Sequence, residues 1–126
     1  MPVSDSYREF VLDQLGRALP VVRARRMFGG VGVYAGDRFF ALIDDDVLYF
    51  KVDDGNRGAY EARSMGPFMP FGPGGEVMQY YEVPADVLED SDLLREWAEG
   101  AVGAAERARK GKRARPPRKR RPGRQR

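Results

Sequence analysis

Side chains that usually carry enzyme chemistry are scarce in this chain. Its 126 residues include no Cys and no His, so the thiolate and imidazole ligands of structural zinc sites and iron–sulfur clusters are missing. The Ser-His-Asp and Cys-His mechanisms lose their general base for the same reason. Any catalysis would fall to carboxylates, Lys51, Arg, Tyr or bound magnesium. We therefore predict a non-enzymatic protein with no metal site and no other cofactor.

Two acidic runs and one glycine run are similar to ligand-binding loops but lack the spacing that those loops require. Residues 44–46 are three Asp, and residues 53–56 read Asp-Asp-Gly-Asn; neither has the alternating acids and closing Glu of a calcium loop. We interpret them as a solvated turn and a helix cap. Residues 29–32 read Gly-Gly-Val-Gly and continue as a strand, whereas a phosphate-binding loop leads into a helix. We interpret this run as a bulge or bend.

Two further groups of side chains are candidates for binding. Arg23, Arg25 and Arg26 lie beside the glycine run and could form a small anion site, although we favour their pairing with nearby acids. Phe68, Met69 and Phe71 lie in a segment, residues 66–75, that holds four Gly and three Pro. Large apolar residues in such a loop either fold back onto the core, which we favour, or present a partner surface.

The net charge of +3 is the sum of two opposed parts. Residues 107–126 hold twelve basic side chains and no acid, which leaves residues 1–106 with a net charge of −9. We predict a domain over residues 1–106 and a basic, disordered tail over residues 107–126, because three Pro and mutual repulsion oppose a continuous helix there.

The tail is the candidate nucleic-acid site. It has no aromatic residue to stack on bases, so it would contact phosphates without sequence specificity and with a steep salt dependence. The alternative is a tail that is solvated or that lies on the acidic domain. The candidate nucleic-acid-binding residues are Lys110, Lys112, Arg113, Arg115, Arg118, Lys119, Arg120, Arg121, Arg124 and Arg126.

Hydrophobic periodicity predicts the elements that must position these groups. Residues 5–18 have helical spacing, with a capping box that starts at Ser6. Residues 21–52 alternate as about four antiparallel strands, with a hairpin turn at residues 35–38. A short helix, a last strand over residues 77–83 and a helix that begins at Ser91 follow. This order predicts an α+β fold, a two-layer sandwich in which helices cover an antiparallel sheet.

An ordered set of short motifs runs through the chain: Met-Phe-Gly-Gly-Val-Gly-Val-Tyr at 27–34, Phe-Ala-Leu-Ile at 40–43, Leu-Tyr-Phe-Lys-Val-Asp-Asp at 48–54, Asn-Arg at 56–57, Pro-Phe at 67–68 and Tyr-Tyr-Glu-Val-Pro at 80–84. As a set, these motifs resemble the N-terminal domain of the TfoX/Sxy family from about residue 7 to residue 106. The resemblance implies a secretion-chaperone-like fold, ordered as helix, three strands, helix, two strands, helix. It implies no catalytic residue. Full-length regulators of the family carry a second, helical C-terminal domain, where this chain has only its basic tail.

The family is linked to the regulation of natural competence, in which members act as transcriptional coactivators with the cAMP receptor protein. The resemblance and the basic tail together predict a non-enzymatic regulatory domain whose tail contacts DNA or RNA. The alternative is a protein-interaction or homodimerisation module whose tail only offsets an acidic surface. The absence of Cys, of a signal-peptide pattern and of any apolar stretch longer than residues 39–43 predicts a cytoplasmic location and no membrane partner.

Overall fold

A computed structural model describes residues 3–27, 29–72, 74–75 and 78–114. Its elements in chain order are α1 (Asp5–Ala18), β1 (Arg23–Met27), β2 (Gly30–Ala35), β3 (Arg38–Asp44), β4 (Val47–Lys51), α2 (Arg57–Glu61), β5 (Tyr80–Glu82), α3 (Ala85–Leu88) and α4 (Ser91–Ala114). The five strands form one antiparallel sheet in the order β1-β2-β3-β4-β5.

The two faces of the sheet differ in what they carry. Val33, Ala41 and Phe50 are aligned across β2, β3 and β4 and are fully buried; we call this the inner face, and it shares one core with α1 and α4. The next row, Gly32, Leu42 and Tyr49, lies on the outer face because successive side chains of a strand alternate. The predicted α+β fold with helices on an antiparallel sheet is confirmed.

Tight turns join the strands of the meander. Gly36 has φ 62° between the paired residues Ala35 and Arg38. Asp45 and Asp46 both have positive φ, 52° and 58°, as a two-residue turn of type I′ requires between twisted strands. Both turns were predicted. The interpretation of residues 44–46 as a solvated turn is confirmed for Asp45 and Asp46, which are exposed, whereas Asp44 is the last residue of β3.

The glycine run holds a chain reversal and the start of β2. Gly29 has φ 81°, and Met27 pairs with Gly30 on either side of the reversal. Gly30 and Gly32 then lie within β2. The irregularity in the ladder comes later, between Val33 and Tyr34. The run is a bend, as predicted, but the bulge lies elsewhere.

The number of strands follows the hydrophobic pattern rather than the order that the family resemblance implied. Four strands precede α2, and β5 follows it. Between α2 and β5 the described residues add only a single bridge, from Pro67 to Tyr81. The last strand is also shorter than the predicted 77–83, since it spans Tyr80–Glu82.

The caps of two helices differ from the prediction. The cap of α1 is Ser4, whose hydroxyl accepts a hydrogen bond from the Tyr7 N–H at 3.2 Å, and not Ser6. The cap of α4 is Asp90, whose carboxylate accepts from the N–H groups of Asp92 and Leu93, and not Ser91. The short helix α3 was not predicted. Along α4, Leu94, Ala98, Ala101 and Ala105 form a stripe that is buried in the core.

The predicted domain boundary at residue 106 falls inside α4, which continues to Ala114. Residues 107–114 therefore belong to a helix and not to a disordered tail, since Ala, Arg and Lys are good helix formers and the first Pro of the tail is Pro116. Among the described residues, no helix has the length and apolar character needed to span a membrane.

Candidate functional site at the C-terminal end of α4

The first arginines of the basic segment are bound to the domain. Arg107 donates two hydrogen bonds to the Asp53 carboxylate, at 2.6 and 2.9 Å. Arg109 donates to Asp37 in the β2–β3 turn at 2.6 Å. Arg38 forms ion pairs with Asp37 and with Glu106 of α4. We call these six residues the anchor network, because they fasten the last turns of α4 to two loops of the sheet.

Asp53 is presented to Arg107 by a turn that its own neighbours hold. The Asn56 side chain accepts from the Asp53 N–H at 2.8 Å and donates to the Lys51 carbonyl at 3.1 Å. The Gly55 N–H donates to the Asp53 carboxylate at 2.9 Å. Asn56 therefore shapes this turn, and it makes no side-chain hydrogen bond to cap α2, contrary to the predicted helix cap.

A polar cleft of about 370 Å³ lies between this turn, Gln79 and the end of α4. Two ion pairs lie in its wall: Arg57 contacts Asp54 at 2.7 Å and also the Gln79 side chain at 2.8 Å, and Arg107 contacts Asp53. The cleft is thus walled by an ion-pair network. Within the described ranges, no group of three or more acids, Cys or His has the arrangement to hold a metal ion.

The candidate nucleic-acid residues begin just beyond the anchor network. The Lys110 side chain is 75% exposed, and its Nζ lies 3.9 Å from the Glu106 carboxylate. Lys112 and Arg113 lie in the last turn of α4. The other seven candidates, from Arg115 to Arg126, are outside the described residues. The structure therefore places Arg107 and Arg109 on the domain and Lys110 in solvent.

The anchor network also sets the charge state of its acids. Hydrogen bonds from Arg107 lower the pKa of Asp53, those from Arg109 lower the pKa of Asp37, and those from Arg38 lower the pKa of Glu106. A carboxylate whose pKa is lowered by folding stabilises the fold above its unfolded pKa, and this stabilisation is lost as the pH falls through the folded value.

We expect Arg107→Gln to remove part of this pH dependence. At about pH 7 the variant should be less stable by at most about 1 kcal/mol, because both side chains are partly exposed and solvent screens the pair. The difference should shrink when the pH is lowered from about 7 to about 2.5, because Asp53 binds a proton as the pH falls through its lowered pKa. Urea denaturation at the two pH values measures it. Arg95→Gln, an exposed change on the same helix, is the control, and a difference that does not shrink in acid would contradict this role of Asp53.

The predicted anion site is divided between the two faces of β1. Arg23 and Arg25 share the outer face, where Arg23 lies over the Tyr34 ring at 4.9 Å and donates to the Gly36 carbonyl at 3.3 Å. Arg26 is paired with Val31 of the inner face. No described carboxylate forms a salt bridge with any of the three arginines, so the favoured pairing with nearby acids is wrong for the described part of the chain.

The predicted partner surface is also divided. Phe68 packs on the Tyr49 ring of the outer face, with 4.9 Å between the ring centroids. Met69 and Phe71 are exposed, and Phe71 is 78% exposed. Phe68 therefore packs against the sheet, as we favoured for all three residues, whereas Met69 and Phe71 face solvent.

Sequence reasoning missed the anchor network. Its contacts between α4 and the sheet or its loops join pairs of residues that are separated in the sequence by 54, 68 and 72 positions. No spacing rule predicts such pairs. The one available signal was the excess of acids in residues 1–106 opposite a basic C-terminal segment.

Comparison with known proteins finds one relative and one family model that cover most of the domain. An uncharacterised 12.7 kDa protein in the trpE 5′ region of Spirochaeta aurantia is 34% identical over 99 residues, which cover 75% of this chain and 80% of that protein. The family model of the TfoX N-terminal domain matches residues 13–105, a span that runs from α1 into α4 and includes the whole sheet. The chain therefore belongs to the TfoX N-terminal domain family.

Proposed function

We propose that this chain is a non-enzymatic, cytoplasmic regulatory domain that contacts the nucleic-acid backbone through its basic C-terminal segment. The observation that carries the proposal is the position of that segment. The anchor network fixes α4 through Arg109, and the cations that follow begin with Lys110 in solvent. Residues 110–126, which hold the ten predicted nucleic-acid contacts, contain no Asp or Glu.

Membership of the TfoX N-terminal domain family supports a regulatory role. The family's link to competence and to the cAMP receptor protein makes transcriptional regulation, with such a factor as partner, the role that we propose. The mode of contact follows from composition: Lys and Arg bind phosphates, and without aromatic residues or a base-reading element the segment does not select a sequence.

The alternative role for the segment, to offset the acidic domain, is supported by Arg107 and Arg109, which bind Asp53 and Asp37. In that case the chain is a protein-interaction or homodimerisation module, and the exposed Met69 and Phe71 are its candidate contact residues. The two roles predict different affinities for nucleic acid in the cations beyond α4. A segment that only neutralises the acidic domain should bind added nucleic acid weakly.

Replacement of the seven cations of residues 115–126 by Gln is expected to abolish most nucleic-acid binding. The substitutions are Arg115→Gln, Arg118→Gln, Lys119→Gln, Arg120→Gln, Arg121→Gln, Arg124→Gln and Arg126→Gln, and they leave α4 and the anchor network intact. Each phosphate contact contributes about 0.9 to the slope of log K against log salt on duplex DNA. The slope should therefore fall in magnitude by roughly 6.

The measurement is fluorescence anisotropy of a random-sequence duplex and a single-stranded RNA, between about 50 and 200 mM salt. The double variant Arg17→Gln and Arg95→Gln, which neutralises exposed cations of α1 and α4, should keep the slope. Absence of binding by the unchanged chain, or an equal slope for the seven-residue variant, would exclude the nucleic-acid role. Light scattering of the same samples reports whether the chain is a dimer.

A further inference from the structure

The two edges of the sheet are not equivalent. The edge at β5 is covered by the preceding loop, where Phe68 N–H donates to the Tyr80 carbonyl at 2.7 Å and Glu82 N–H donates to the Gly66 carbonyl at 3.0 Å. The edge at β1 has β2 as its neighbour on one side and no paired strand among the described residues on the other. Every second residue of an edge strand directs its N–H and C=O groups away from the sheet. β1 is therefore an open edge.

Cations line this open edge on both faces. Arg25 and Arg26 are exposed, and in the described part of the chain neither has a salt-bridge partner. Residues 1–106 as a whole have a net charge of −9, so this positive edge is a local feature. A second copy that paired its own β1 here would set arginines against arginines, and like charges directly opposite one another destabilise a strand pair.

An apolar groove lies beside the segment that leads into β1, between residues 19–21, the β2–β3 turn and α4. It has a volume of about 290 Å³ and is lined by Leu19, Pro20, Val21, Ala35, Gly36, Glu99 and Val102. Val21, which leads into β1, is 60% exposed. The groove opens beside α4 and so lies on the inner-face side of β1, where Val22 and Ala24 pack against the core. Glu99 would repel an acidic side chain in the groove and so favours an apolar one.

We propose that the β1 edge binds an extended acidic segment of a partner protein by strand addition. Backbone hydrogen bonds to the outward-directed groups of β1 provide the pairing, as in other complexes that extend a sheet. Carboxylates of the partner lie opposite Arg25 on the outer face and Arg26 on the inner face, and an apolar side chain enters the groove beside Val21. This site is separate from the C-terminal segment, and it can exist whether or not that segment contacts nucleic acid.

The probe for this site is the fluorescein-labelled peptide Glu-Glu-Val-Thr-Val-Glu-Glu, whose symmetry suits either strand direction. The protein is the full chain that carries the seven Gln substitutions in residues 115–126, so that the peptide cannot bind to that segment. Anisotropy titration should show saturable binding. The peptide Lys-Lys-Val-Thr-Val-Lys-Lys should not bind, because its charges oppose those of Arg25 and Arg26.

The variant Arg25→Glu with Arg26→Glu is expected to weaken binding of the acidic peptide at least tenfold. Arg17→Glu with Arg95→Glu makes the same charge change at exposed positions of α1 and α4 and should leave the affinity within a factor of two. In amide hydrogen exchange, the outward N–H groups of β1 should become slower to exchange with peptide bound, which a purely ionic contact would not produce.

Three outcomes would overturn the proposal. They are equal binding of the acidic and the basic peptide, an affinity that Arg25→Glu with Arg26→Glu leaves unchanged, and binding without slower exchange in β1. A single-stranded oligonucleotide that binds through Arg25 and Arg26 while the acidic peptide does not would make this a phosphate site. The nucleic-acid assay on residues 115–126 is unaffected by each of these results, so failure of one proposal is distinguishable from failure of the other.

Discussion

Gly30→Ala is expected to destabilise the domain by about 3 kcal/mol. A Cβ added at Gly30 would lie 2.6 Å from the carbonyl oxygen of Ile43 in the neighbouring strand. That oxygen is part of the backbone, and the Ile43 side chain is fully buried in the core, so it can move only if β2 and β3 separate. Urea denaturation followed by circular dichroism measures the loss, and the melting temperature should fall by on the order of 10 °C.

Two other glycines provide controls for this prediction. A Cβ added at Gly16 of α1 would have no neighbouring atom within 4 Å. Gly16→Ala should therefore stabilise the helix by up to about 1 kcal/mol. Gly32 would meet the Met27 Cε at 2.6 Å, but this is the end of a flexible side chain, and Gly32→Ala should cost less than Gly30→Ala. A Gly30→Ala protein as stable as the unchanged chain would show that β2 and β3 are not held at this spacing.

Tyr60→Ala is expected to lower the free energy of unfolding by about 4 kcal/mol, which is within the range for removal of a large buried aromatic side chain. Tyr60 is 1% exposed, and its ring meets Trp97 of α4 at 4.6 Å and Tyr81 of β5 at 6.0 Å between centroids. The side chain thus joins α2 to both neighbouring elements. Chemical denaturation should show the lower midpoint, and the far-UV spectrum should confirm that the variant still folds.

Tyr60→Phe separates the ring from its hydroxyl group. The Tyr60 hydroxyl is buried and has no hydrogen-bond partner among the described residues, and burial raises its pKa. Removal of a buried polar group that lacks a hydrogen-bond partner lowers the free energy of unfolding only slightly and can even stabilise the protein. Tyr60→Phe should therefore be within about 1 kcal/mol of the unchanged chain. A loss as large as that of Tyr60→Ala would mean that the hydroxyl makes an essential contact.

The order of the elements could be predicted because it depends on local patterns. Alternation of apolar residues indicated the strands around Val33 and Phe50, and turn chemistry indicated the reversals at Gly36 and Asp45, all of which the structure contains. The caps were harder to predict, since Ser4, Asp5 and Ser6 all have capping side chains. The choice among them depends on where the chain enters the helix, and there the Ser4 N–H donates to Asp46 at 2.8 Å.

The candidate site was less accessible to prediction. Charge composition indicated that the basic residues collect at the C-terminal end, but it did not show that the first of them extend α4 or that Arg107 and Arg109 bind the domain. Opposite charges are so numerous in this chain that no single pairing stands out. The pairs form where the hairpin turn and the turn after β4 reach the same helix, and only the tertiary fold determines that.

The anchor network also limits the distance over which the basic segment can act. Arg107 and Arg109 fix the last turns of α4, so the twelve residues 115–126 start from a defined point on the domain. A fully extended chain advances at most about 3.6 Å per residue, so the first cations after Ala114 are held close to the domain. If the segment binds nucleic acid as proposed, the first phosphates that it contacts would therefore lie near the end of α4.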